Sequence, residues 1–439
     1  MIFDALTHDA EIASLVGDDA QARAMAEVEA ALARVEGSLA VIPPEAAAAI
    51  SAAALALKPD AEALSASVRR SGTPVLGLVR QLKEAVAAPH DGFVHWGVTS
   101  QDIVDSAMVL TAKVALSRLE ERLRALITVL GELARAHRDT PMAGRTRFQQ
   151  AVPVTFGLRV ATWIAPLLRH LDRLDALRPR LLVVQLGGAA GTLAALGGRG
   201  LEVAQGLARE LDLGVPSGPW HSQRDTIAEL GAWLALVAGS LGKFGADTVL
   251  LAQSEVGELA EGGDGHGASS TMPQKANPVL GEALMAIGRL AAGRLPALYQ
   301  AQIHKGERDG AAWQMEWLEL PELFALAGAA LGNGERLARG LRVNEARMAQ
   351  NLEASGGLIM AEAAAFALAR TMPLADAQAT VGEAAKAVAQ TGGTLMEVLT
   401  ERLGPEVDIS SLGDVSAQTG ESGALVDRVL SDIAARLDK

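Results

Sequence analysis

The sequence has no cysteine in 439 residues, which excludes disulfides, thiolate metal ligands and a cysteine nucleophile. Aromatic residues are scarce at 3%, with a single tyrosine. A core must then come from Leu, Val and Ala on closely packed helices, and alanine runs such as Ala46 to Ala49 fit an all-α fold. Basic residues are outnumbered, 39 Lys and Arg against 52 Asp and Glu, for a formal net charge of −13. Nucleic acid and anionic membranes need a basic patch that displaces counterions, so no nucleic-acid and no membrane partner is expected. An anionic ligand would need a local cationic pocket.

A membrane-spanning run is lacking too. The longest uncharged stretch, Leu181 to Gly198, carries five glycines and a glutamine and has no aromatic flanks, so it reads as a packed segment. The N-terminal MIFDALTHDAEIASLVGDD has neither the basic start nor the apolar run of a secretory leader, and the expected location is cytoplasmic. No HExxH, paired His-Cys, P-loop or dinucleotide fingerprint occurs, so neither a metal nor a cofactor is expected.

Hydrophobic residues make up 49% of the chain and charged residues 21%, which is a folding composition. Ala22, Met25, Val28, Glu29 and Leu32 follow the three-to-four spacing of one helix face between Asp18 and Leu39. Leu116, Leu119, Leu123, Leu126, Leu130 and Leu133 form a longer stripe, predicting one helix over 103–138. Further helices are predicted over 153–180, 200–213, 223–261, 279–302 and 316–340. Helices this long bury their stripes against one another as a bundle. The expected organisation is three helical domains: 1–110, a central long-helix bundle over 111–350, and a small C-terminal domain over 351–439.

Three short stretches interrupt these patterns with polar chemistry. The first, His95 to Asp102, reads HWGVTSQD. Its Thr99 and Asp102 have the spacing of a capping box, and a capped helix start also presents hydroxyls and N–H groups to a carboxylate. The second, Gly144 to Gln150, reads GRTRFQQ. The third, His266 to Glu282, reads HGASSTMPQKANPVLGE, with Gly262, Gly263, Gly265 and Gly267 in and before it. Such glycines let a loop curl around a ligand. Asn277 and Pro278 suit a helix cap and first turn, and Lys275 adds a positive charge. A charge-dense turn, His304 to Asp309, contains Arg308 as a further candidate ligand. Arg224 beside Asp225 reads as structural.

SSTMPQKANP resembles the signature of the fumarase/aspartase superfamily, in which a serine of SSxMPxKxN moves a proton next to a carboxylate. Ala268 stands where most members have glycine. The first stretch is similar to that superfamily's HxGxTSxD and the second to its GRTHxQ, with Arg147 in place of the histidine. In the amine-releasing members that histidine is associated with protonating the departing nitrogen. Arginine cannot act as an ordinary general acid, because its pKa is above ~12. A carboxylate leaving group, ionised above pH ~4, needs no such proton and suits bidentate pairing with arginine. HWGVTSQDIVDSAMVL, QQAVPVTFGLRVATWIAPLLRH and WHSQRDTIAELGAW look most like the branch that lactonises 3-carboxy-cis,cis-muconate.

The resemblance implies an all-α homotetramer with shared active sites, each assembled from three subunits, and a small polycarboxylate substrate. It implies Ser269 as the proton carrier with Ser270 as rival, and Lys275 as the charge that supports it. His95, Thr99, Ser100, Arg145, Thr146, Arg147, Gln149, Ser270, Met272, Asn277 and Arg308 are the expected substrate contacts. A fumarate-releasing lyase such as adenylosuccinate lyase, and a non-catalytic helical scaffold, remain alternatives.

Overall fold

The computed structural model describes residues 2–262, 267, 271–272, 275–404 and 414–437. Its helices are α1 (Ala10–Val16), α2 (Asp18–Ser38), α3 (Pro44–Ala56), α4 (Ala61–Ser71), α5 (Val75–Val86) and α6 (Ser100–Ala136). After the strands β1 (Pro141–Thr146) and β2 (Gln149–Thr155) come α7 (Phe156–Leu181), α8 (Gly200–Glu210) and α9 (Asp225–Leu251). Then follow β3 (Leu259–Glu261), α10 (Val279–Ala301), α11 (Gly310–Gly340), β4 (Leu341–Val343) and α12 (Glu345–Glu353). The chain ends with α13 (Ala361–Leu368), α14 (Leu374–Thr391), α15 (Leu395–Leu403) and α16 (Ser422–Leu437). The all-α reading holds, with two small two-stranded sheets added.

The chain divides into two compact units, the first made of Met1–Leu123, His170–Gly239 and Ala286–Gly332 and the second of the remaining segments. In the first unit the face predicted for α2 is buried as a whole, Glu29 included. Met25, Val28, Leu32 and Val35 of α2 meet Ile103 and Ala107 of α6, Val203 and Leu207 of α8, and Trp313 in one apolar cluster. Each such Leu or Val contributes roughly 1.5–3 kcal/mol when fully buried. Small residues set the helix spacing: a Cβ on Gly206 would lie 2.4 Å from Val35 Cγ1, and one on Gly37 would lie 2.3 Å from Ala47 Cβ. The uncharged stretch after α7 is packed, as expected, with Val183 to Gly188 buried and Val183 bridged to Gly214.

In the second unit β1 and β2 form an antiparallel hairpin whose last pair is Thr146 with Gln149. Strand β3 pairs antiparallel with β4, Leu259 facing Val343. A ring cluster of His137, Phe156, Trp163 and Phe244 packs edge-on and tilted, and Trp163 Nε1 donates to Asp247 at 2.8 Å. Helices α13, α14 and α15 share a small core around Leu368, Val381 and Leu395.

Several element ends differ from the pattern read in the sequence, α7 for example starting at Phe156 because β2 takes residues 153–155, and two differ by more than three residues. Helix α9 stops at Leu251 instead of running to 261, because Gly257 turns the chain at φ +62 and Leu259–Glu261 leaves to pair with β4. Helix α11 starts six residues earlier than predicted, at Gly310, where the Asp309 carboxylate accepts the N–H groups of Ala311 at 2.9 Å and Ala312 at 3.4 Å. Among the described residues one helix, α9, is long and apolar enough to cross a membrane, and 56% of its most apolar window is buried within the protein.

Candidate active site

The first unit gathers its polar chemistry at the start of α6. Thr99 donates its backbone N–H to Asp102 Oδ2 at 3.0 Å, so the capping half that belongs to Asp102 is present. The Thr99 hydroxyl is not used for the cap; it accepts from the Arg308 guanidinium, whose Nε also reaches Gln101 Oε1 at 3.2 Å. The sequence thus named Thr99 and Arg308 separately, and the fold joins them. Ser100 and Gln101 line, with Arg308, Ser71, Thr73 and Trp313, a cavity of about 300 Å³.

Asp102 is the knot that holds this helix start in place. Its buried carboxylate accepts N–H groups from Gly187 and Gly188, both at 2.9 Å, and lies 2.7 Å from His221 Nε2. Below it, Arg224 is fully enclosed: it donates to Asp105 at 2.7 and 3.2 Å and to Glu316 at 2.9 Å, and stacks 4.7 Å from the Trp220 ring. Burial works against its charge, yet the two carboxylates outweigh burial and raise its pKa above the ordinary arginine value. Arg224 is structural, as read, but its partners are Asp105 and Glu316 instead of its neighbour Asp225.

His95 precedes this helix in a left-handed backbone conformation, φ +61. Its Nδ1 lies 2.6 Å from Oε1 of Glu29, a carboxylate buried in α2. Burial disfavours the charged ring, but the Glu29 charge and hydrogen bond, aided by Asp102, prevail and raise the His95 pKa. Gly97 is required next to it, because a Cβ there would lie 2.5 Å from Leu196 Cδ2 at φ +69.

The second unit holds the other two stretches. Arg147 and Phe148 are the two tip residues of the β1–β2 hairpin and both have positive φ, +50 and +66. Such a turn normally takes Asn or Gly, so two bulky residues here store strain of the kind found at functional sites. Arg147, Thr146 and Gln149 are exposed, and Arg147 has no partner among the described residues. Arg145 is engaged: its two terminal nitrogens donate to the buried Glu258 carboxylate at 2.8 and 2.7 Å, and Asn351 Nδ2 adds a 2.8 Å bond to the same group.

In the third stretch Ser269 and Ser270 lie outside the described residues, while Lys275 and Met272 are exposed. Asn277 donates its backbone N–H to Gly267 at 2.8 Å. Helix α10 begins at Val279, and its N–H groups at Leu280 and Gly281 are taken by the Glu261 carboxylate at 2.9 and 2.7 Å. Those two donors therefore hold a residue of the protein itself. Glu29, Glu258, Glu261 and His221 were all missed as partners. Only Glu29 carried a signal, an acid on an otherwise apolar helix face.

The family described as Lyase matches residues 4–293. The 3-carboxy-cis,cis-muconate cycloisomerase of Pseudomonas aeruginosa is 42% identical over 440 residues, covering 98% of this chain and 96% of that protein. The crystal structure of 3-carboxy-cis,cis-muconate lactonizing enzyme from Pseudomonas putida superposes with a TM-score of 0.92 at 37% identity, covering 100% of both chains. A fumarate lyase from Mesorhizobium sp. BNC1 superposes with a TM-score of 0.90 at 40% identity, covering 97% of this chain and 98% of that one. By motif, fold and full-length similarity, the chain belongs to the lyase family of the fumarase/aspartase superfamily.

Proposed function

We propose that the protein is a cycloisomerase that closes 3-carboxy-cis,cis-muconate to 4-carboxymuconolactone, in the protocatechuate branch of aromatic degradation. The observation that carries this reading is Arg147: an exposed arginine, unpartnered among the described residues, on a strained hairpin tip, where related lyases that expel a nitrogen have a histidine. A carboxylate needs pairing, not protonation, and a free guanidinium offers that.

In the reaction one terminal carboxylate oxygen forms a bond to the alkene carbon bearing the extra carboxyl group. The alkene electrons move to the neighbouring carbon as the enolate of its own carboxylate, and that carbon then takes a proton. Ser269 is the proposed donor, with Ser270 as rival, and Lys275 stabilises the charge that develops only in the transition state. Thr99, Ser100, Arg147, Gln149, Asn277 and Arg308 are the proposed carboxylate ligands, with Thr146 and Met272 beside them. The Arg145–Glu258 pair supports a positioning role for Arg145, since its terminal nitrogens are engaged. The proposed assembly is a cytoplasmic homotetramer with active sites shared between subunits.

The test is ultraviolet absorbance of 3-carboxy-cis,cis-muconate mixed with the purified protein, since lactone closure removes one of two conjugated double bonds. Rapid loss with a lactone as product supports the assignment. The similarity to a fumarate lyase supports one second reading, release of fumarate from a substituted succinate such as adenylosuccinate. Fumarate formation with no lactone would select it.

A further inference from the structure

Helix α2 carries two acids, Glu29 and Glu36, on a face otherwise built from alanine, methionine, valine and leucine, and both are buried. Replacing a buried ionic group with an apolar side chain is often neutral or stabilising, so packing alone gives no reason for either. They lie seven residues apart, two helical turns, and so share one side of the helix. Glu29 has a partner in His95 at 2.6 Å, whereas Glu36 Oε1 has none. Two adjacent buried carboxylates do not both ionise readily; burial, with the Glu29 charge adding to it, pushes Glu36 up to about 9. Glu36 is then neutral at pH 7, and Glu29 is the acid of the two that faces the His95 ring.

We propose that Glu29 is a positioning residue for His95, fixing the ring through Nδ1 so that its Nε2–H is a cationic donor for a carboxylate of the ligand. This rests on the polycarboxylate reading of the site. Nε2 has no partner among the described residues. The backbone of His95 is held at φ +61, a conformation that a bulky residue keeps only where its surroundings over-determine it. The charged groups that act on the ring are Glu29 from α2 and Asp102 from α6, which favour the charged form, and Lys83 from α5, which opposes it. In a protein of net charge −13, a protonated His95 offsets the charge of the buried Glu29 and leaves an N–H donor at Nε2 for an anion.

The experiment is a histidine 13Cε1 NMR titration of the full-length protein, with His95→Asn to assign the signal, in wild type, Glu29→Gln, Glu29→Asp and Glu36→Gln. Glu29→Gln is expected to lower the His95 midpoint by about one unit or more, because an opposite charge at this distance shifts a titration by that order. Glu29→Asp, which keeps the charge but withdraws it, should fall between and serves if the glutamine variant does not fold. Glu36→Gln, the isostere of the neutral acid, should leave the midpoint in place. Tricarballylate, an unreactive tricarboxylate, should move the His95 signal on saturation and bind less tightly as pH rises through the midpoint. An unmoved midpoint in both Glu29 variants overturns the proposal, and so does tricarballylate that fails to bind or binds without a His95 response. Failure to form lactone with the NMR shifts intact overturns the cycloisomerase reading and leaves the Glu29–His95 assignment standing.

Discussion

Arg147 and Phe148 turn a tight hairpin with backbone angles that suit Asn and Gly, and the side chain of Arg147 is tied to nothing described. Such a residue adds little to stability and is left available for the proposed chemistry. Arg147→Ala is therefore expected to cut kcat/KM for lactone closure about 10- to 100-fold, the scale of one lost charge-assisted pair. Its melting temperature should stay within about 1 °C of wild type. Calorimetry beside initial rates checks both; a large loss of stability would return Arg147 to the scaffold. Glu36 makes the opposite prediction. Its carboxyl is raised from 4.5 to about 9, so between those values the folded state holds a proton that the unfolded state releases, and stability falls as pH rises across that window. Glu36→Gln removes this dependence, so its gain over wild type should be near zero at pH 5 and largest near pH 9, about 1 °C in Tm for each kcal/mol recovered in a chain of this length. A gain that stays flat with pH would contradict the buried neutral acid.

Among elements, the hairpin depends on a carboxylate that arrives from a distant stretch. Glu258 is wholly buried and takes both terminal nitrogens of Arg145 and an amide of Asn351. Glu258→Ala leaves the arginine without its counter-charge, and the expected loss is about 3 kcal/mol, the lower end for breaking a buried pair because Arg145 is partly exposed. A urea midpoint unchanged from wild type would show that the pair does not hold β1. The long helices were legible in the sequence because burial repeats every three to four residues, and that period survives in any tertiary setting. Helix ends were less legible: α9 stops at a turn signalled only by Gly257, and α11 starts at Asp309 inside a run that read as mere charge. The hairpin was invisible, since Arg147 and Phe148 are not turn-forming residues. Motif residues at the site stood out by type and spacing. Their supports, Glu29 for His95, His221 for Asp102 and Glu261 for α10, lie outside the motifs, and of these only Glu29, an acid on an apolar helix face, was marked by a local pattern.

At the scale of the whole molecule, the long helices keep large apolar side chains in water: Val114 on α6, Leu236 on α9, Leu290 on α10 and Leu318 on α11, the last 71% exposed. Single exposed leucines are ordinary, but a set spread along the longest helices suits burial by other copies of the chain. If these faces form the assembly, light scattering of the wild type should give about four times the subunit mass of 45.5 kDa. Leu236→Glu with Leu318→Glu should lower that mass while far-ultraviolet circular dichroism stays helical. Shared sites make a sharper demand, because the motif containing Arg147 and the one containing Lys275 would then meet across different subunits. Arg147→Ala and Lys275→Ala, each impaired alone, should rise above the activity of either variant when unfolded together in equal amounts and refolded, since about a quarter of the sites in randomly mixed tetramers draw both intact motifs. Recovery requires that one site be built from more than one chain. Mixed assemblies that form, by mass, and yet show no more activity than the single variants would mean that each subunit carries its own complete site, and the exposed leucines would then serve assembly alone.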